Sequence, residues 1–86
     1  MNTIAKNSRF TFHRKKMQRK TGGSKNVFII SHYYNNYTEL YRTEIEEIME
    51  SMQSQFGSEI HNSYSLLFRK RADAEKAWVY LTLRWT

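Results

Sequence analysis

The residues of this chain most able to do chemistry are its cations. Arg14-Lys15-Lys16-Met17-Gln18-Arg19-Lys20 places five positive side chains in seven residues, Lys25 follows closely, and the rings of Phe10 and Phe12 stand just ahead of them. Lysine and arginine neutralise backbone phosphates and release counterions, while aromatic rings stack on exposed bases. The combination points first to nucleic acid or a ribonucleoprotein surface as partner. An acidic protein surface would satisfy the same charges, and a basic segment can also serve solubility or lie against an acidic face of its own fold. A second cationic group, Arg69-Lys70-Arg71, either extends this positive surface or forms a solvated turn before Asp73.

A different kind of surface is offered by Ser31-His32-Tyr33-Tyr34-Asn35-Asn36-Tyr37. Tyr33 and Tyr37 are suited to anchor a partner, since tyrosine is enriched in interface hot spots. Turn chemistry alone explains Asn35-Asn36, and alternate tyrosines can equally be core residues.

Catalytic and metal-binding arrangements fail on spacing. His13, His32 and His61 lie far apart in sequence, and none has a second ligand at metal-site spacing. Ser31 and His32 are neighbours on an expected strand, so their side chains point to opposite faces and form no dyad. Thr21-Gly22-Gly23-Ser24-Lys25 is glycine-rich beside a lysine, but it lacks the phosphate-loop spacing and leads into a strand where a helix is required. Asn36-Tyr37-Thr38 matches a glycosylation sequon, which matters only on secretion. No catalytic residue, cofactor or metal is expected, and the chain reads as a binding protein.

Charge divides the 86 residues more sharply than any other property. Residues 1–26 hold eight cations and no acid, whereas 27–86 hold six basic side chains against eight acidic ones, so +8 and −2 make up the net +6. This reads as a basic arm over 1–26, a short edge strand at Arg9–His13 followed by a loop through Asn26, attached to a compact domain over 27–86. Cysteine is absent, which excludes a disulfide framework and thiol chemistry, and proline is absent too. The longest apolar run, Val27-Phe28-Ile29-Ile30, is far short of the ~20 residues that span a bilayer. The N-terminal region lacks the features of a secretory signal, so no membrane partner and a cytoplasmic location are expected.

The elements that must position these residues follow from periodicity. Val27 to Tyr34 is β-branched and aromatic and is expected to lie centrally in a sheet. Asn36 with Glu39 has the form of a capping box, and the apolar residues Leu40, Tyr41, Ile45, Ile48, Met49, Met52 and Phe56 then recur at helical spacing up to Gly57. Tyr64 to Arg69 reads as a second strand. With Asp73 as N-cap, the stripe Ala74, Ala77, Trp78, Leu81 and Trp85 is helical, though Val79, Leu81, Leu83 and Trp85 also alternate as a strand would; the expectation is a helix from near Asp73 that gives way to extended chain by Leu83. The expected fold is α+β: a small mixed sheet of about three strands with a long amphipathic helix and a C-terminal helix packed on one face. If strands 27–34 and 64–69 are parallel neighbours, their connection is a right-handed crossover.

The C-terminal pattern Phe68, Asp73, Ala74, Trp78, Leu81, Leu83, Trp85 resembles the ends of some small accessory proteins of tailed bacteriophages. The resemblance implies a regulatory or host-directed role and assigns no functional residue. The functions in contention are a nucleic-acid or nucleoprotein binder, an inhibitor or adaptor docking on an acidic host protein, and a virion component whose arm touches DNA.

Overall fold

The computed structural model describes residues 2–7, 9–32, 39–62 and 65–84, without the side chains of 39–42 and 45. Its elements are β1 (Asn2–Lys6), β2 (Phe10–Gln18), β3 (Ser24–His32), α1 (Glu39–Phe56), β4 (Glu59–Asn62), β5 (Ser65–Phe68) and α2 (Arg71–Arg84). The strands form one five-stranded sheet in the order β1-β2-β3-β5-β4, and every neighbouring pair is antiparallel. The α+β class and the central place of the Val27 strand agree with the sequence. The strand number does not: five replace three, the sheet is antiparallel instead of mixed, and β3 with β5 makes no parallel crossover.

The largest correction concerns residues 1–26. They are not an arm ending in a loop, because β1 and β2 are integral strands and β2 pairs with β3 over nine consecutive positions from Phe10↔His32 to Gln18↔Ser24. Nor is the Arg9–His13 region an edge strand, since β1 takes the edge. The turn from β1 to β2 is built by Asn7, whose Oδ1 accepts hydrogen bonds from the backbone N–H of Arg9 at 2.9 Å and of Phe10 at 2.8 Å. Thr21-Gly22-Gly23 turns the next hairpin, and Gly22 and Gly23 take φ of 91° and 76°, a region glycine enters without a steric cost.

Paired residues of an antiparallel ladder share a face. Phe10, Phe12, Phe28, Ile30, Leu66 and Phe68 therefore line one side, where they meet Ile48, Met49 and Met52 of α1 and Ala74, Ala77 and Leu81 of α2. Ala74 and Ala77 are fully buried, and their small side chains let α2 sit close to the sheet. Trp78 lies 5.8 Å from Phe12, centroid to centroid, and Tyr80 lies 5.7 Å from Phe56. Val27, Ile29 and Leu67 point to the opposite face and are buried as well, so the Val27–Ile30 run is covered on both sides, in keeping with its central place in the sheet. On that face Ser31 and Ser65 share a 2.7 Å hydrogen bond, whereas His32 is buried on the helix side against Phe10. The two residues do point opposite ways.

Helix α1 ends where expected, with Gly57 at φ 64° and its N–H donating to the Gln53 carbonyl at 3.0 Å. Helix α2 begins at Arg71, two residues before the expected cap, so Asp73 lies inside the first turn beside the positive end of the helix dipole. The helix also continues through Leu83 to Arg84, where extended chain was expected. The capping box at Asn36 and the core positions Leu40, Tyr41 and Ile45 fall outside the described residues or side chains. The short strand β4 carried no sequence signal: all four of its residues are exposed.

Two outcomes test this arrangement. Ile48→Ala is expected to cost about 2–4 kcal/mol in a urea titration, and exposed Glu47→Ala under about 0.5 kcal/mol. Removal of residues 1–24 takes away β1, β2, Phe10 and Phe12, and is expected to abolish the cooperative thermal transition; a retained transition would show that these strands are dispensable.

Candidate nucleic-acid interface

The expected cations converge because of strand pairing. The last β1–β2 pair is Asn2↔Arg14 and the last β3–β5 pair is Phe28↔Phe68, so these rows lie side by side across the sheet. Past them β2 and β3 continue alone as a two-stranded ribbon of four pairs, Lys15↔Val27 to Gln18↔Ser24, closed by the turn at 19–23. All six cations expected from the basic segment, Arg14, Lys15, Lys16, Arg19, Lys20 and Lys25, sit on this ribbon or at its base. Arg14, Lys15, Lys16 and Asn2 line a recess of about 390 Å³ at the foot of the ribbon.

The ribbon distributes its charges over both faces. Arg14 and Lys16 share the helix-side face with Gln18, Ser24 and Asn26, while Lys15 and Lys25 share the other with Met17. Lys16, Gln18, Ser24 and Asn26 are exposed; Lys15, Met17 and Lys25 are half-buried. Among the described residues, none of the six cations has a carboxylate within ion-pair reach. Lys25 does act on Glu59 through space, helping to lower the pKa of that carboxyl, but the hairpin as a whole keeps a large excess of positive charge, which attracts anions.

Strand β5 runs toward the ribbon, so the Arg69–Arg71 turn reaches the same end of the molecule. Two of its three cations are held by the protein's own acids. Arg69 donates to Glu59 from Nε at 2.6 Å and from Nη2 at 3.2 Å, which lowers the Glu59 pKa and raises that of Arg69. Arg71 pairs with Glu75 at 2.8 Å one turn along α2. Lys70, exposed between them, is the member that adds to the ribbon's positive end. Arg9 is also engaged, in an ion pair with Glu44 that ties the start of β2 to α1.

Phe10 and Phe12 are each 2% exposed and lie beneath the helices, so their expected role as stacking contacts is corrected: their faces are covered by Trp78, His32 and the rest of the core. Tyr33 and Tyr37 lie outside the described residues. Asn2, Gln18 and Asn26, three exposed amides beside the cations, are site residues that composition alone does not single out. The Gly22-Gly23 turn between two polar runs was the available signal, because it implies a hairpin and hence a face shared by Gln18, Lys16 and Asn26.

His13, opposite Ile29 near the ribbon base, has a lowered pKa, first because burial disfavours its charged form and then because positive groups including His61 and Lys15 lie nearby. The folded state thus favours neutral His13. Its contribution to stability is complete above the ordinary value of 6.5 and is lost as pH falls below it. The melting temperature is expected to fall between pH 7.5 and 5.5, and His13→Gln to make that fall shallower; an unchanged slope would place the sensitivity elsewhere.

Among the described residues no cluster of three His, Asp or Glu is placed to hold a metal ion, and no helix is long and apolar enough to cross a membrane. No protein-family model matches the chain, and neither a curated protein nor a solved structure matches it.

Proposed function

We propose that this chain is a non-enzymatic nucleic-acid-binding protein whose interface is the β2–β3 hairpin. The observation that carries the reading is the set of six cations on the ribbon and its base, with no acid within residues 14–26 and no ion pair to the rest of the described fold. A structural role would pair such charges, as the fold does with Arg9, Arg69 and Arg71. Acids elsewhere follow the body: five glutamates lie in α1, and Glu59, Asp73 and Glu75 lie in β4 and α2. A phosphate chain is therefore drawn to the ribbon end and repelled from the helix layer. A regulator acting on a host nucleoprotein, as the phage-like C-terminal pattern implies, would use the same surface.

The test is fluorescence anisotropy with duplex DNA, single-stranded DNA and structured RNA at two salt concentrations. Replacing Lys15, Lys16, Arg19 and Lys20 by Ala is expected to weaken binding for unrelated sequences alike and to flatten the salt dependence by up to about four phosphate equivalents. Dissociation constants weaker than ~100 μM for all three ligands at ~150 mM salt would overturn the proposal, because that is no better than ordinary non-specific binding. An acidic protein partner would then become the better reading.

A further inference from the structure

We infer that the ribbon enters the major groove of B-form DNA, with Lys16, Gln18, Ser24 and Asn26 turned to the base edges. This rests on the hairpin's being the nucleic-acid interface and adds which nucleic acid it takes and how. Three observations carry it. The first is shape. Beyond its last flanking strands the ribbon is two strands wide and four pairs long, roughly 14 Å at about 3.4 Å per residue. B-DNA's major groove, about 12 Å wide and 8.5 Å deep, admits a two-stranded ribbon, whereas the major groove of A-form RNA is too narrow for side-chain readout.

The second observation is the placement of charge. A surface laid flat on one strand needs cations on a single face. Here Arg14 and Lys16 stand on the helix-side face and Arg19 and Lys20 at the tip, while Lys15 on β2 and Lys25 on β3 stand on the opposite face, from which their long side chains would reach past the ribbon's two edges to the phosphates that wall the groove. The helix-side face of the ribbon is also wholly hydrogen-bonding, and its two amides can read adenine while Lys16 can read guanine. The opposite face, with Met17 and the buried Val27, has no comparable set.

The third observation separates duplex from single strand. Proteins that hold single strands stack bases on aromatic side chains. Each of the four phenylalanines in the described strands, Phe10, Phe12, Phe28 and Phe68, is buried against the helices, so among the described residues these strands offer no phenylalanine platform.

The deciding experiment measures anisotropy of the full chain with a mixed-sequence 20-base-pair DNA duplex, the RNA duplex of the same sequence and one isolated DNA strand, at ~150 mM salt. The DNA duplex is expected to bind about tenfold tighter than either alternative. Methyl green, which occupies the major groove, should weaken binding, and netropsin, which occupies the minor groove, should leave it unchanged. Equal affinity for DNA and RNA duplexes, preference for the single strand, or competition by netropsin alone would overturn groove entry while leaving nucleic-acid binding intact. No binding to any of the three would remove both.

Discussion

The register between β2 and β3 is the constraint on which the rest of this molecule depends. Nine consecutive pairs run from Phe10↔His32 to Gln18↔Ser24, and the same ladder serves two environments. At one end it sets Phe10 and Phe12 beside Phe28 and Ile30 under the helices; at the other it holds cations that are exposed or half-buried. A slip of one residue would turn Thr11, His13 and Lys15 toward the helix layer and Phe10 and Phe12 away from it. Burying an unpaired ammonium is among the most expensive changes a small core can undergo, so the register is specified strongly at its apolar end and transmitted to its polar end. An isolated two-stranded hairpin is marginally stable in water, and this one holds its shape because its base is part of a five-stranded sheet.

Charge is arranged to leave that ribbon unneutralised. The acids are confined to α1, β4 and α2, and three of them, Glu44, Glu59 and Glu75, pair with Arg9, Arg69 and Arg71, cations that lie next to the body. Six like charges on one hairpin repel one another, which works against the compact state, and a polyanion would relieve that repulsion on binding. The exposed ion pairs add little stability individually. Their consequence is spatial: they cancel positive charge around the body and leave it concentrated at the ribbon end. Both sheet edges are short, and β1 and β4 each carry a register shift, at Ile4 and at His61, which makes them poor templates for another strand.

Much of the apolar fold was legible in the sequence. The buried run Val27–Ile30, the stripe Ile48, Met49, Met52, the stop at Gly57 and the stripe Ala74, Ala77, Leu81 all have periods that declare them. Strands β1, β4 and the distal half of β2 were not legible, because periodicity reports burial and these segments are hardly buried; their backbones are satisfied by neighbours that a single sequence does not reveal. Arg14–Gln18 resembles a loop by composition and is a strand by virtue of Ser24–Phe28 lying opposite. The cations were visible as a group, but their geometry was not. Phe10 and Phe12 were misread for the same reason: adjacent in sequence to the cations, they follow the pleat into the core, and the ribbon turns polar only two residues later.

That switch from core to ribbon within one strand changes what binding costs. A disordered basic arm must lose its conformational freedom when it meets a partner, and the ordering entropy offsets part of the gain from each phosphate contact. Cations on a braced ribbon have already lost their backbone freedom on folding. They can also address only phosphates within reach of two faces and a tip. An arm can adjust to recruit more contacts, whereas in the proposed interface the six fixed cations of the hairpin would limit the counterions released and hold their share of the salt dependence to about −5 in log K against log salt for a duplex. The same rigidity holds Gln18 and Asn26 at fixed positions beside those cations, and in the proposed complex it would keep them in register with the phosphate contacts, as side chains that tell one base pair from the next must be.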